Sequence, residues 1–160
     1  MRKITLVCAG RLKEKYLQMA MREYLQRLQP YTIVDVKEIR EEAMPDNPMP
    51  AQKEQVLERE GERLLKLVPE KSFLCVLDVC GEELTSEEFS EKLSHLAVQG
   101  QSHVTFLIGS AFGLSAKVRR AADWRMSLSK LTFTHQMARV ILIEQIYRAF
   151  KIMRKEKYHW

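Results

Sequence analysis

A chain of 160 residues with 46% hydrophobic content suits one compact domain, residues 1–160, and is short for two. Its apolar runs are too short for a membrane span, and three cysteines, Cys8, Cys75 and Cys80, argue against a disulfide framework. The net charge of +5 is unevenly spread: residues 1–116 hold 15 Lys/Arg and 18 Asp/Glu, whereas residues 117–160 hold 11 Lys/Arg and 3 Asp/Glu. A basic pole of that kind is a footprint for phosphate, above all nucleic acid.

The first apolar run, ITLVCAG at 4–10, ends in glycine and reads as a buried strand. It is too short for the core of a secretory signal. A helix follows over 13–28, with Tyr16, Leu17, Ala20, Met21, Tyr24, Leu25 and Leu28 at helical spacing before Pro30. TIVDVKEI at 32–39 alternates and is β-branched, which predicts a strand. Three of the five prolines then fall in EEAMPDNPMP, a loop. Residues 51–67 form a charged amphipathic helix that offers Val56, Leu64 and Leu67 to the core.

SFLCVLDV at 72–79 is nearly continuous in its apolar character, as central parallel strands are. Thr85 with Glu88 spells a capping box for a helix that runs to about Val98. HVTFLI at 103–108 is a further buried strand, and GSAFGLS after it is a turn. A short basic helix over 116–124 and a brief strand over 125–128 come next. The last helix spans about 135–155. Met137, Val140 and Ile141 lie on one side of it, and Ile146, Phe150 and Met153 on the other. A helix apolar on two sides is covered on two sides, which in so short a chain implies a second subunit. Alternating strands and helices predict an α/β fold: a mostly parallel sheet with helices on both faces.

Ligands of such sheets bind beyond the carboxyl ends of the strands. That rule selects the loops after Val79 and Ile108 and the segment SKLTFT. GSAFG is neither GxGxxG nor a Walker loop, so dinucleotide and P-loop readings lose their main support. The four histidines assemble no triad and no metal cluster, and no metal site is expected. The cysteines read as buried, reduced thiols of a cytoplasmic protein. Glu144 and Arg148 stand in the favourable i,i+4 order. The tail KEKYHW joins cations to Tyr158, His159 and Trp160, which suits stacking on bases and contact with phosphates.

Three stretches together carry a resemblance: IGSAFGLS, then SLSKLTFTHQMARVILIEQIYRAF, then the terminal YH. The whole chain resembles the ribosomal RNA large-subunit methyltransferase H family, which is of the SPOUT class and methylates N3 of a pseudouridine in 23S rRNA. The resemblance implies a C-terminal trefoil knot, a homodimer, and the assembled ribosome as substrate. It implies S-adenosylmethionine as cofactor, held by Leu77, Gly109, Leu128, Ser129, Lys130, Leu131, Thr132 and Phe133. His159, Tyr158 and Arg148 are the candidate catalytic residues. The sequence departs from the family at Ser110, where a second glycine is usual, and at Thr134, where proline is usual. It also departs in the tail, which commonly reads Gly-x-Pro-Tyr-His followed by a basic residue. The departures leave a non-enzymatic, ribosome-associated RNA-binding protein as the alternative.

Overall fold

The computed structural model describes residues 1–158. Five parallel strands form one sheet: β1 (Lys3–Ala9), β2 (Ile33–Ile39), β3 (Phe73–Glu83), β4 (His103–Ile108) and β5 (Trp124–Ser127). Their order across the sheet is β2-β1-β4-β3-β5. The helices between and after them are α1 (Lys15–Leu28), α2 (Pro50–Leu65), α3 (Ser86–Val98), α4 (Ala116–Ala121) and α5 (His135–Met153). The α/β architecture expected from the sequence is thus the observed one.

The two faces of the sheet carry separate cores. Alternate residues of each strand point to opposite faces, so Ile4, Leu6 and Cys8 of β1 face one way and Val7 and Ala9 the other. The first set packs with Met21 and Leu28 of α1, Phe89 and Leu93 of α3, and Leu142, Ile143 and Ile146 of α5. The second set packs with Leu64 of α2 and Val118 of α4. Burial on both faces is why these strands read as continuous apolar runs. Val56 and Leu64 are buried as expected, and Leu67 is partly buried against the smaller core.

The local signals are met in detail. Thr85 accepts a hydrogen bond from Glu88 N, while Glu88 Oε2 accepts one from Thr85 N, a complete capping box. Strand β3 runs farther than the apolar run suggested. Its pairing with β5 jumps from Leu77 to Glu82, leaving residues 78–81 as a bulge at the carboxyl end. Trp124, expected at the end of the short helix, instead begins β5 and is buried against Phe89.

The burial of α5 differs from the expectation. Met137 is exposed, and Val140 and Ile141 are only half-buried. The buried residue of that first stretch is Arg139, at 1% exposure. The core side of α5 is Leu142, Ile143, Ile146, Tyr147, Ala149 and Phe150, and α1 and α3 flank it within the same chain. Residue spacing located the apolar positions but not the neighbour that covers each.

Candidate active site

A cleft opens at the carboxyl ends of β3, β4 and β5. Its walls are the end of β3 with its bulge, the turn after β4, and the segment 128–133 that joins β5 to α5. The turn after β4 is tight. Gly113 N donates to Ser110 O at 3.1 Å, and Gly113 has φ +99°, a region glycine enters freely. A Cβ on Gly109 would stand 2.7 Å from Gly113 O and 2.7 Å from Leu114 Cδ2, so only glycine fits there without rearrangement. Ser110 is not among the residues with positive φ, so no second glycine is required at that position.

The segment 128–133 offers main chain rather than reactive side chains. Ser127 Oγ donates to Ser129 O, and Leu131 N donates to Ser129 Oγ, which fold it back on itself. Among the described residues, no backbone hydrogen bond involves Lys130, Thr132 or Phe133. Thr134 then starts α5. Its φ of −60° is one proline would also take, but its Oγ1 accepts from Met137 N, a cap proline cannot supply.

Of the eight residues implied for the cofactor, Leu77, Gly109, Leu128, Ser129, Leu131, Thr132 and Phe133 line this one cleft. Lys130 lies on the same segment, exposed, and does not line it. The cleft also holds polar side chains that spacing alone did not flag: Asp78, Arg119 and His135. Asp78 could have been noticed as the one charge inside an apolar strand. Arg119 was visible only as part of a basic helix.

Beside the cleft, α5 is tied to the sheet. Arg139 pairs with Glu38 at the end of β2, and its Nη2 donates to Gly10 O at 2.9 Å. His135 Nε2 lies 3.0 Å from Glu41 Oε1. Two of the three thiols are buried as expected, whereas Cys80, in the β3 bulge, is exposed. The Cys8 thiol is pushed up to about 12, chiefly by burial, with Arg139 opposing, and burial likewise raises that of Cys75. Among the described residues no group of His, Cys, Asp and Glu is arranged to hold a metal ion.

Tyr158 and Arg148 stand elsewhere. The Tyr158 hydroxyl donates to Glu144 Oε1, and Arg148 Nη2 donates to the same oxygen at 2.7 Å. The Arg148 guanidinium lies over the Tyr158 ring, 3.8 Å from its centroid. Burial, reinforced by the bond to Glu144, raises the Tyr158 phenol above its ordinary range, so it stays protonated. From Ala138, the last residue of α5 in the cleft wall, to Arg148 is about 15 Å along the helix axis. The structure therefore does not bring these two candidates to the cleft of their own chain. His159 lies outside the described residues.

A parallel α/β sheet with a cleft at the carboxyl ends of its strands is the arrangement of α/β proteins that bind small molecules there, and this one lacks the glycine fingerprint of a dinucleotide fold. The sequence matches the family described as Predicted SPOUT methyltransferase over residues 2–159, and the chain belongs to that family. It is 50% identical to ribosomal RNA large subunit methyltransferase H of Halothermothrix orenii over 157 residues, covering 98% of this chain and 99% of that protein. The protein of the same name from Ruminiclostridium cellulolyticum is 49% identical over 157 residues, with coverage of 98% and 99%. That from Carboxydothermus hydrogenoformans is 47% identical over 156 residues, 98% of each chain.

Proposed function

We propose that this protein transfers a methyl group from S-adenosylmethionine to N3 of a pseudouridine in 23S rRNA, as a homodimer acting on the assembled ribosome in the cytoplasm. Near-full-length similarity to proteins named ribosomal RNA large subunit methyltransferase H supports the substrate class. The observation that carries the reading is the cleft, which gathers seven of the eight residues the resemblance implies.

The cleft suits the cofactor chemically. Leu77, Leu128, Leu131 and Phe133 offer apolar surface for an adenine ring. The uncommitted main chain of Thr132 and Phe133 offers hydrogen bonds to its edge. When bound, S-adenosylmethionine supplies an electrophilic methyl group on sulfur. The protein's task is then to align N3 with that carbon and to exclude water. The N3 proton also needs an acceptor. Tyr158, kept protonated by burial and by its bond to Glu144, serves to orient the base rather than to take the proton. Arg148 supplies positive charge toward the anion that develops, and His159 is the candidate acceptor.

Two features support a homodimer. The Glu144–Arg148–Tyr158 cluster lies outside the cleft of its own chain, and an α5 packed against it in the opposite direction would bring one chain's tail to the other's cleft. Helix α1 begins beside α5, where Lys13 N donates to Gln136 Oε1. Both helices expose apolar side chains: Tyr16 and Met19 at 64% and 68%, and Met137. The trefoil knot belongs to the same reading. It is supported by the path from β5, at the edge beside β3, across the ends of β3 and β4 to α5 beside Gly10, just after β1.

The test is transfer of radiolabel from S-adenosylmethionine to ribosomes, with the modified nucleotide located by mass spectrometry. Label at N3 of a large-subunit pseudouridine is the expected result. Ribosome binding without donor binding or label would instead make it an RNA-binding protein.

A further inference from the structure

The cleft mouth holds an ion cluster that the proposed chemistry does not use. Asp78 is the first residue of the β3 bulge, and its side chain is 1% exposed. Its Oδ1 accepts from Cys80 N at 3.1 Å, which fixes the carboxylate against the bulge. Its Oδ2 accepts from Arg119 Nε at 2.9 Å and lies 3.9 Å from Arg125 Nη1. One buried negative charge thus faces two cations, whose side chains remain 41% and 50% exposed.

The geometry at Arg119 is specific. Asp78 is bound through Nε, and among the described residues neither Nη nitrogen has a hydrogen-bond partner. A guanidinium held by its inner nitrogen presents its outer edge in a fixed orientation, the arrangement that receives a carboxylate or phosphate. Arg119 also lines the cleft, whereas Arg120, next to it on α4, does not. The buried anchor removes much of the side-chain freedom that an exposed arginine loses on binding.

We propose that Arg119, positioned by Asp78, and Arg125 beside it form an oxyanion-binding site at the cleft mouth that receives a phosphate of the substrate RNA. This rests on the function proposed above. The excess positive charge of the cluster and its exposure at the rim favour a backbone phosphate. The carboxylate of the methyl donor is the other source of the same chemistry. Asp78 acts as a positioning residue, touching neither.

The experiment compares Arg119→Ala, Arg125→Ala and Arg120→Ala with the wild-type chain. It measures S-adenosylmethionine affinity by calorimetry, and binding to large ribosomal subunits over a range of salt. Thermal melts confirm that each variant is folded. For a phosphate site, Arg119→Ala and Arg125→Ala weaken ribosome binding, lower the slope of log K against log salt by about 1 each, and leave donor affinity unchanged. Arg120→Ala changes binding less than either. The charge-preserving Arg119→Lys restores most of the salt slope but not all of the affinity, because lysine lacks the fork. A drop in donor affinity for Arg119→Ala, with ribosome binding intact, assigns the site to the carboxylate instead. If all three alanine variants match wild type, or all weaken ribosome binding equally, no specific site exists. A wild-type chain that binds neither donor nor ribosome overturns the functional reading itself, an outcome distinct from indifferent variants.

Discussion

The two halves of α5 use the same residue types for opposite purposes. In the first half Arg139 is 1% exposed, paired with Glu38 and bonded to Gly10 O, so the charge fastens the helix to the sheet. In the second half Arg148 and Glu144 are 29% and 17% exposed, and they bond to each other and to Tyr158 on one helix and its tail. The first pair joins distant parts of the chain. The second is local and leaves its outer side open. A buried charge must be satisfied by the fold, so its residue serves stability. A half-exposed cluster contributes little to stability and is free to meet a ligand.

The sharpest way to break this contrast is through stability. Arg139→Ala empties a fully buried site and leaves the buried Gly10 carbonyl without its donor, while Glu38, 31% exposed, still reaches water; it should lower unfolding free energy by about 2–4 kcal/mol in denaturant titrations. Arg148→Ala should lower it by only about 0.5–1 kcal/mol. Equal losses would mean that the two pairs do the same job. Function should divide the other way, with Arg148→Ala lowering turnover while donor affinity stays near wild type.

A second contrast sets the cleft against the tail. Gly109→Val forces a side chain into the Gly113 carbonyl and should weaken donor binding by about 10- to 100-fold, read by calorimetry. Tyr158→Phe should lower kcat by on the order of 10-fold without changing donor affinity. Refolding the two variants together sharpens the comparison. If the tail acts on the partner's cleft, a mixed dimer carries one intact site and activity returns. If each tail serves its own chain, the mixture stays as weak as its better parent.

Two smaller effects test the frame around these sites. Burial, aided by Lys3 and Lys37, holds the His103 pKa below its ordinary value, with its Nε2 2.9 Å from Thr5 Oγ1. The unfolded chain then binds the proton more readily than the folded one. The contribution is fully present above the ordinary histidine pKa of about 6.5 and is lost as pH falls below it. His103→Gln should flatten that part of the acid-side decline in stability. Lys155 sits just past α5 at φ +54°, a left-handed position where the resembling family commonly has glycine. Lys155→Gly should raise stability by up to about 1 kcal/mol, measured by thermal melting.

Much of the frame was legible because its signals are local. The strand HVTFLI matches β4 residue for residue, and the Thr85–Glu88 box marks the start of α3 as drawn. The cleft segments were found because the order of strands and helices fixes where the carboxyl ends gather, and the resemblance supplied the residues on them. Trp124 was misplaced because a basic helical run passes into a short strand with no glycine or proline between. The β3 bulge was missed because an irregular pairing leaves no periodicity.

The sequence by itself determined the parallel α/β order, the helix caps, the basic C-terminal third and the loops that could hold a ligand, since each depends on neighbours within a few residues. Only the tertiary structure decided that Arg139 is buried while Met137 is not, and that Asp78 gathers Arg119 and Arg125. It also decided that Arg148 and Tyr158 do not line the cleft of their own chain. The settings of Arg139 and Asp78 depend on partners 41 to 101 residues away, and a charge takes its meaning from the group that the fold sets opposite it.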